Sequence, residues 1–442
     1  MPAPAALIPR PASIALADGY TTEYRVETTI DPALPAEGYR LEVDADGIRI
    51  AAGDDAGAFY AARTLDQLRT DRGVPYVRIE DAPRFRYRGA MLDVSRHFFT
   101  VEQVERYLDL LALFKINHLH LHLSDDQGWR IHIDAWPKLS EVGGRNEVGG
   151  GQGGFYTKAD YARIVAYAAE RFITIVPEID LPGHTNAALV AYPELAPEGV
   201  SPVPYTGDDV GFSTLAIGKP EVTRFVTDVL GEVAAMTPGP YLHIGGDESY
   251  KTKEEDFLAF MKEAGAIAAS TGKTVVGWHE MGRSRELPAG TIGQYWGFVV
   301  PRDRTGEHAV SFVGQGGKLI LSPADAVYLD MKYDESTPLG LVWADGPTSV
   351  QDSYDWEPTA VLDGVDEDDI LGLEAPLWTE TITTSEELET MAFPRLLSLA
   401  ELAWSPAEGR SWEEYRARLA SLAPYLDAHG IHYTRAAGVP WR

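Results

Sequence analysis

Residues 89–124 read GAMLDVSRHFFTVEQVERYLDLLALFKINHLHLHLS. The stretch opens on an apolar run, Gly89 to Ser95, of strand length. Thr100 and Gln103 then stand three apart, a capping-box pair that opens a helix, and the helix is predicted to reach Lys115. His118 to Ser124 is a second apolar strand. Strand, helix and strand in so short a space is the unit of a parallel sheet, because parallel neighbours need a crossover.

The unit recurs downstream. A helix over about 158–171 leads into the strand Phe172–Glu178. One over about 219–236 leads into Tyr241–Gly246, and one over about 254–271 into Thr274–Trp278. Further strands are predicted at Thr291–Trp296, Lys318–Leu321 and Ile370–Leu373. Helices over about 385–403 and 412–428 close the chain. Eight short strands in alternation favour a (β/α)8 TIM barrel over an open sheet. No GxGxxG opens a helix after a strand, so a dinucleotide fold has no support. The connections from strand five to six and from seven to eight are poor in helix. The barrel is therefore expected to be irregular, with some helices missing.

Upstream the pattern differs. Tyr24–Ile30 alternates as a strand. Tyr39–Val43 and Ile48–Ile50 flank Asp44–Ala45–Asp46–Gly47, a hairpin signal with glycine placed for positive φ. Phe59, Ala62, Leu65 and Leu68 lie at helical spacing, and Val77–Ile79 is a last short strand. Residues 1–85 are thus expected to form a small α+β support domain, with the boundary near Glu80–Pro83. Residues 86–442 are expected to form the catalytic barrel and its C-terminal helices.

Composition narrows the functions. The 442 residues carry 38 Lys+Arg against 67 Asp+Glu, a net charge of −29. Nucleic acid or an anionic membrane as partner would need a basic face. Zero cysteines exclude disulfides, thiolate metal sites and cysteine nucleophiles. Pro2, Pro4, Pro9 and Pro11 interrupt any apolar leader, and no run approaches the ~20 residues of a membrane span. The chain is read as soluble and cytoplasmic, or secreted if a leader has been removed from it, and as a monomer or homodimer.

In such a barrel the chemistry stands at the carboxyl ends of the strands. Arg96 and His97 follow strand one, and Asp125 and Asp126 follow strand two. Glu178, Asp180 and His184 follow strand three, and Asp247 and Glu248 strand four. Trp278 and Glu280, Tyr295 and Trp296, Tyr328 and Asp330, and Trp378 and Glu380 mark the remaining four. Carboxylates and broad aromatics on one rim suit a pyranose ring, with its apolar faces and belt of hydroxyls. Asp247 and Glu248 are sequence neighbours, and neighbours on a strand point to opposite sides. They are therefore expected to play different parts. They do not form the matched pair, ~5–5.5 Å apart across the scissile bond, of an ordinary retaining glycosidase.

These stretches resemble glycoside hydrolase family 20, the β-N-acetylhexosaminidases. The likeness rests on Gly89–Phe98, His122–Arg130, Pro177–His184 and His243–Glu248, extended by Trp278, Gln294–Trp296, Tyr328–Asp330 and Trp378–Glu380. It implies exo-acting, substrate-assisted retaining hydrolysis of terminal β-linked N-acetylglucosamine or N-acetylgalactosamine. In that reaction the 2-acetamido oxygen attacks its own anomeric carbon and forms an oxazolinium. By the same resemblance Glu248 is the general acid and then base. Asp247 holds the acetamido N–H, and Tyr328 donates to the acetamido oxygen. Arg96, Glu380 and Asp330 bind ring hydroxyls. Trp278, Trp296 and Trp378 wall the pocket, and Trp343 stacks on the next sugar. Asp125 and His184 set the charge of Glu248. The resemblance implies an oligosaccharide or glycoconjugate substrate and no cofactor or metal.

Three other readings compete with this one. His118, His120 and His122 share a strand face and could suggest zinc, but hydrogen-bonded core histidines are favoured. A family 18-type chitinase would carry a DxxDxDxE run on strand four, which this chain lacks. A non-catalytic sugar-binding barrel would be expected to lose the acid, whereas Asp247, Glu248 and Tyr328 are all present.

Overall fold

The structure, a computed structural model, describes residues 6–441. Its first unit is a sheet of β1 (Ser13–Thr21), β2 (Val26–Ile30), β3 (Tyr39–Asp44), β4 (Gly47–Ala52) and β5 (Val74–Asp81), in the order β1-β5-β3-β4-β2. The predicted hairpin is β3–β4. It turns between Asp44 and Gly47, and Gly47 takes a φ of +129° that side chains disfavour. Helix Asp55–Gln67, capped by the Asp54 side chain, buries Tyr60, Ala61 and Leu65 against this sheet. Strand β1 was not expected. It pairs antiparallel with β5 as an edge strand, and most of its residues stay solvent-exposed, so no burial alternation marks it in the sequence.

Eight parallel strands then close the barrel: β6 (Tyr87–Asp93), β7 (His118–His122), β8 (Thr174–Glu178), β9 (Tyr241–His243), β10 (Thr274–Trp278), β11 (Ile292–Tyr295), β12 (Leu319–Leu321) and β13 (Ile370–Leu377). Each pairs with the next, and β13 closes on β6. The capping box at Thr100 and Gln103 is present and starts helix Val101–Leu113. Between β10 and β11 there is only a 3-10 turn, His279–Arg283. Between β12 and β13 there is a four-residue helix, Ala324–Val327, and a long loop. Helix Thr305–Gly314, between β11 and β12, was not anticipated. The helix expected over 385–403 is two, Ser385–Ala392 and Arg395–Trp404. Pro394 separates them because it has no N–H to continue the ladder. The one expected over 412–428 likewise divides into Trp412–Ser421 and Ala423–Ala428, with Pro424 in the first turn of the second. No helix among the described residues is long and apolar enough to cross a membrane.

Inside the barrel the side chains form layers. Tyr87, Val176, Val276, Ile292 and Ile320 plug the amino end. Above them is a hydrogen-bonded polar layer. His120 lies between Glu374 (2.8 Å) and Glu178 (3.0 Å), and Gln294 donates to Glu374 at 2.7 Å. His122 lies between Glu178 (2.6 Å) and Asp125 (2.7 Å). Burial opposes charge on both imidazoles, but the flanking carboxylates outweigh it. They raise His120 to about 9 and His122 to about 10. His118 instead stacks on Tyr87 at 3.9 Å, and burial lowers it to about 3. The three histidines are thus each committed to packing or to carboxylate partners.

Candidate active site

A cleft of about 300 Å³ opens at the carboxyl end of the barrel. Arg96, Asp247, Glu248, Trp296, Tyr328, Asp330, Trp343, Trp378 and Glu380 all line it, joined by Asp208, Val210 and Leu341. Nine of the twelve residues expected at the site therefore face one cavity. The other three lie behind it. Trp278 is wholly buried below, packed near Trp378 (6.0 Å between rings), with its indole N–H donating to Glu178 at 2.9 Å. Asp125 and His184 connect the cleft to the polar layer.

Asp247 and Glu248 do not alternate on a strand as expected. Strand β9 ends at His243, and the chain then turns through Gly245 (φ +70°) and Gly246 (φ +109°). A Cβ on Gly245 would lie 1.7 Å from Asp180 Oδ1, so only glycine lets the backbone pass. Gly246 N–H donates to that same oxygen at 3.2 Å. Glu248 itself has φ +41°, an unfavourable conformation for a side-chain-bearing residue. The tight turn is closed by Tyr250 N–H donating to the Glu248 carbonyl at 2.6 Å. Backbone strain of this kind clusters at working sites. The two side chains leave this turn separately and reach different places.

His184 stands between the two carboxylates and Asp125. Its Nδ1 is 3.1 Å from Asp125 Oδ1, and its Nε2 is 3.6 Å from Asp247 Oδ2 and 3.5 Å from Glu248 Oε2. Burial disfavours its charge, but Asp125 and Asp247 overcome this and hold it well above its ordinary value. Asp125 is desolvated too, yet Arg96 (3.0 Å) and His184 keep it well below the usual carboxylate range. Asp247 is the reverse case. Burial, with Glu248 adding, pushes it up to about 6 despite His184.

The opposite side of the cleft is a clamp. Arg96 spreads over the Trp378 ring at 4.7 Å and contacts Asp93 (3.3 Å) and Glu380 (4.0 Å). Tyr328 packs edge-on to Trp343 (5.5 Å), and Trp343 edge-on to Trp296 (6.1 Å). Several buried polar atoms have no protein partner: Asp247 Oδ1, both Asp330 oxygens, Glu380 Oε2 and Arg96 Nε. Unpartnered buried acceptors are costly. A ligand carrying hydroxyl and amide donors would satisfy them.

Glu280, marked above at the end of strand five but given no role, and four residues the sequence reading did not single out, Asp208, Val210, Leu341 and Tyr250, also contribute. Glu280 accepts the Trp296 indole N–H at 2.9 Å and fixes that wall. Asp208, Val210 and Leu341 line the cleft, and the exposed Tyr250 stands beside it with its hydroxyl 3.3 Å from Glu248 Oε1. Glu280 and Tyr250 were legible in principle, since one follows strand five and the other sits two residues past Glu248. Asp208 and Val210 come from a long loop with no periodic signal.

A cleft of this size at this end of a parallel barrel, walled by tryptophans and lined with unsatisfied carboxylates, defines a glycoside hydrolase site. Residues 85–407 match the catalytic-domain model of glycosyl hydrolase family 20, and residues 5–82 match the model of domain 2 of that family. The chain belongs to glycosyl hydrolase family 20. It is 42% identical over 441 residues to a beta-N-acetylhexosaminidase of Cellulomonas fimi, covering 98% of this chain and 87% of that one. It is 37% identical to a beta-hexosaminidase of Porphyromonas gingivalis over 91% of this chain, but spans only 56% of that relative. Among solved structures, the Streptomyces plicatus N-acetyl-beta-hexosaminidase bound to Thio-NAglucal superposes with a TM-score of 0.94. The two are 46% identical, with 100% of this chain and 99% of that one covered.

Proposed function

We infer that the protein is an exo-acting β-N-acetylhexosaminidase. It removes terminal non-reducing β-linked N-acetylglucosamine or N-acetylgalactosamine from an oligosaccharide or glycoconjugate. The observation that carries the reading is the pairing of Glu248 with an adjacent Asp247, whose buried Oδ1 has no partner. Asp247 accepts the acetamido N–H and so turns the acetamido oxygen toward the anomeric carbon. Tyr328, whose phenol burial and Asp330 keep protonated, donates to that oxygen. The oxygen bonds to C1 while the C1–O bond to the leaving group breaks, and Glu248 gives its proton to the departing oxygen. The Asp247 carboxylate stabilises the oxazolinium cation. Glu248, now a base, then takes a proton from water as water bonds to C1 and the C1–acetamido bond opens. Two inversions leave the configuration retained. Because the nucleophile is tethered to the substrate, the first step has the high effective molarity of an intramolecular reaction.

Arg96, Glu380 and Asp330 take the outward hydroxyls, and Trp296 and Trp378 face the ring. Trp278 acts from below by packing. The small unit, residues 1–85, supports the barrel of residues 86–442. The test is turnover of 4-nitrophenyl N-acetyl-β-glucosaminide beside the matching glucoside, with and without a thiazoline mimic of the intermediate. The acetamido substrate is expected to be hydrolysed and blocked by the mimic, and the glucoside to be nearly inert. Comparable rates on both substrates would point to a protein nucleophile and overturn the reading.

A further inference from the structure

The cleft is occupied on three sides by groups that the terminal sugar would use, and Tyr250 belongs to none of them. Its hydroxyl donates to Glu248 Oε1 at 3.3 Å, while His184 approaches the other carboxylate oxygen, Oε2. Oε1 therefore carries the contact on the side away from the polar layer. The ring itself is 71% exposed, unusual for a large side chain fixed beside a buried site. Desolvation of the hydroxyl, with Glu248 and Glu280 nearby, raises its pKa well above the ordinary phenol value, so it stays a donor.

The ring is nevertheless held. It packs against Gly211, where a Cβ would come within 2.2 Å of Tyr250 Cδ2 and where φ is +72°, so a larger residue would push the ring aside and strain the backbone. The segment that follows Gly211 is fastened at two successive residues, Ser213 and Thr214. Ser213 donates to the buried Asp126, and Thr185 N–H donates to Ser213 Oγ at 2.9 Å. The hydroxyls of Thr214 and Thr252 meet at 2.6 Å, and Thr252 meets Ser249 at 2.8 Å. These contacts tie the loop carrying Tyr250 to the loop carrying Asp208 and Val210, which themselves line the cleft. Trp343, 45% exposed, is the other open aromatic at the mouth.

We propose that Tyr250 is a positioning and specificity-determining residue on the leaving-group side. Its exposed ring, seated on Gly211, contacts the sugar that departs, and its hydroxyl aims Glu248 at the glycosidic oxygen. The geometry follows from the part Glu248 plays, since the atom it protonates belongs to the leaving group and a ring bonded to Glu248 on its open side borders that group. The inference rests on the hexosaminidase reading above. An exposed aromatic face is a rigid platform for a sugar's apolar side.

The experiment compares wild type, Tyr250→Phe and Tyr250→Ala on N,N′-diacetylchitobiose, and measures inhibition by the thiazoline mimic, which fills only the terminal-sugar position. Tyr250→Ala is expected to raise KM for the disaccharide about five- to tenfold, the value of one aromatic contact, and to lower kcat. Tyr250→Phe, which keeps the ring, is expected to hold KM near wild type while kcat falls. Thiazoline affinity is expected to stay within about twofold in both. Gly211→Ala, whose Cβ would displace the Tyr250 ring, should reproduce the KM rise with Tyr250 itself unchanged. The proposal is overturned if both Tyr250 variants keep wild-type KM and kcat, if the phenylalanine variant behaves like the alanine one, or if thiazoline binding falls as far as disaccharide binding. A wild-type enzyme that neither binds the thiazoline nor cleaves the disaccharide would instead refute the hexosaminidase reading itself.

Discussion

A carboxyl group that titrates near neutrality makes activity depend on pH in a direction that can be worked out. Asp247 is pushed up to about 6, chiefly by burial. To stabilise the developing oxazolinium cation it must be ionised. Below pH ~6 the folded enzyme increasingly carries it protonated, and the cation loses its counter-charge. The acidic limb of kcat/KM is therefore expected to break near pH 6, falling roughly tenfold per unit below it. Asp247→Asn should remove that break and lower kcat/KM at pH 7 by about 10²- to 10³-fold. A pH–rate profile of both enzymes checks this, and an unchanged break in the variant would assign the titration elsewhere. Glu248→Gln should lower kcat on a disaccharide by roughly 10²- to 10⁴-fold while thiazoline still binds, read by steady-state kinetics and calorimetry. The place of most of these residues was legible in the sequence because the barrel rule ties function to strand ends, and Arg96, Asp247, Glu248 and Glu380 each stand a few residues past a strand and line the cleft. The manner in which Asp247 and Glu248 are presented was not legible. Alternation holds on a strand, but two positive-φ glycines end β9 early and place both on a turn.

Elements were legible where burial imposes a period. The buried helix Val101–Leu113 and strand β10 were found at or within two residues of their ends. The edge strand β1 was missed, because exposed residues leave no pattern. The 3-10 turn His279–Arg283 shows how a missing helix still serves the site. It stands in the connection expected to be poor in helix and presents Glu280 to the Trp296 indole. Burial first, then Asp247, raises Glu280 from an ordinary 4.5 to about 8. A raised carboxyl favours the protonated folded state, so its contribution is best below the unfolded value and is lost as pH rises through the folded one. Glu280→Gln has no such titration and keeps an oxygen for the Trp296 N–H. The variant is expected to match wild type in Tm near pH 4.5, and to exceed it by roughly several degrees at pH 8 to 9. Thermal unfolding at the two pH values measures this, and a constant offset would show that Glu280 does not titrate in that window.

Across the whole molecule, the amino-terminal sheet and the barrel are joined at the face opposite the cleft. Lys115, just before β7, is buried against Asp81 at the end of β5, with Nζ to Oδ2 at 3.1 Å. Asp81 Oδ2 also accepts from Tyr39 (2.6 Å) and from the Trp404 indole (2.9 Å), and Lys115 Nζ lies 4.2 Å from the Trp404 ring centre. Nearby, buried Arg88 reaches both oxygens of Glu37, at 3.0 and 2.9 Å. Trp404, from the last barrel-side helices, completes the core of the small sheet. None of this was readable in advance. Contacts between residues hundreds of positions apart leave no local period, and Lys115 and Asp81 stand in the sequence as ordinary charges. A buried pair adds little over an apolar substitute, but breaking it strands a charge. Asp81→Ala leaves the Lys115 ammonium without its counter-ion and should cost about 3–5 kcal/mol, seen as a fall in Tm. Asp81→Leu combined with Lys115→Met removes both charges and should recover most of that loss. Because amino-end residues of a barrel serve stability and the carboxyl end serves chemistry, the folded single variant should keep kcat/KM within about twofold of wild type. A large kinetic loss at unchanged Tm would mean that the two ends of the barrel are coupled through its polar core.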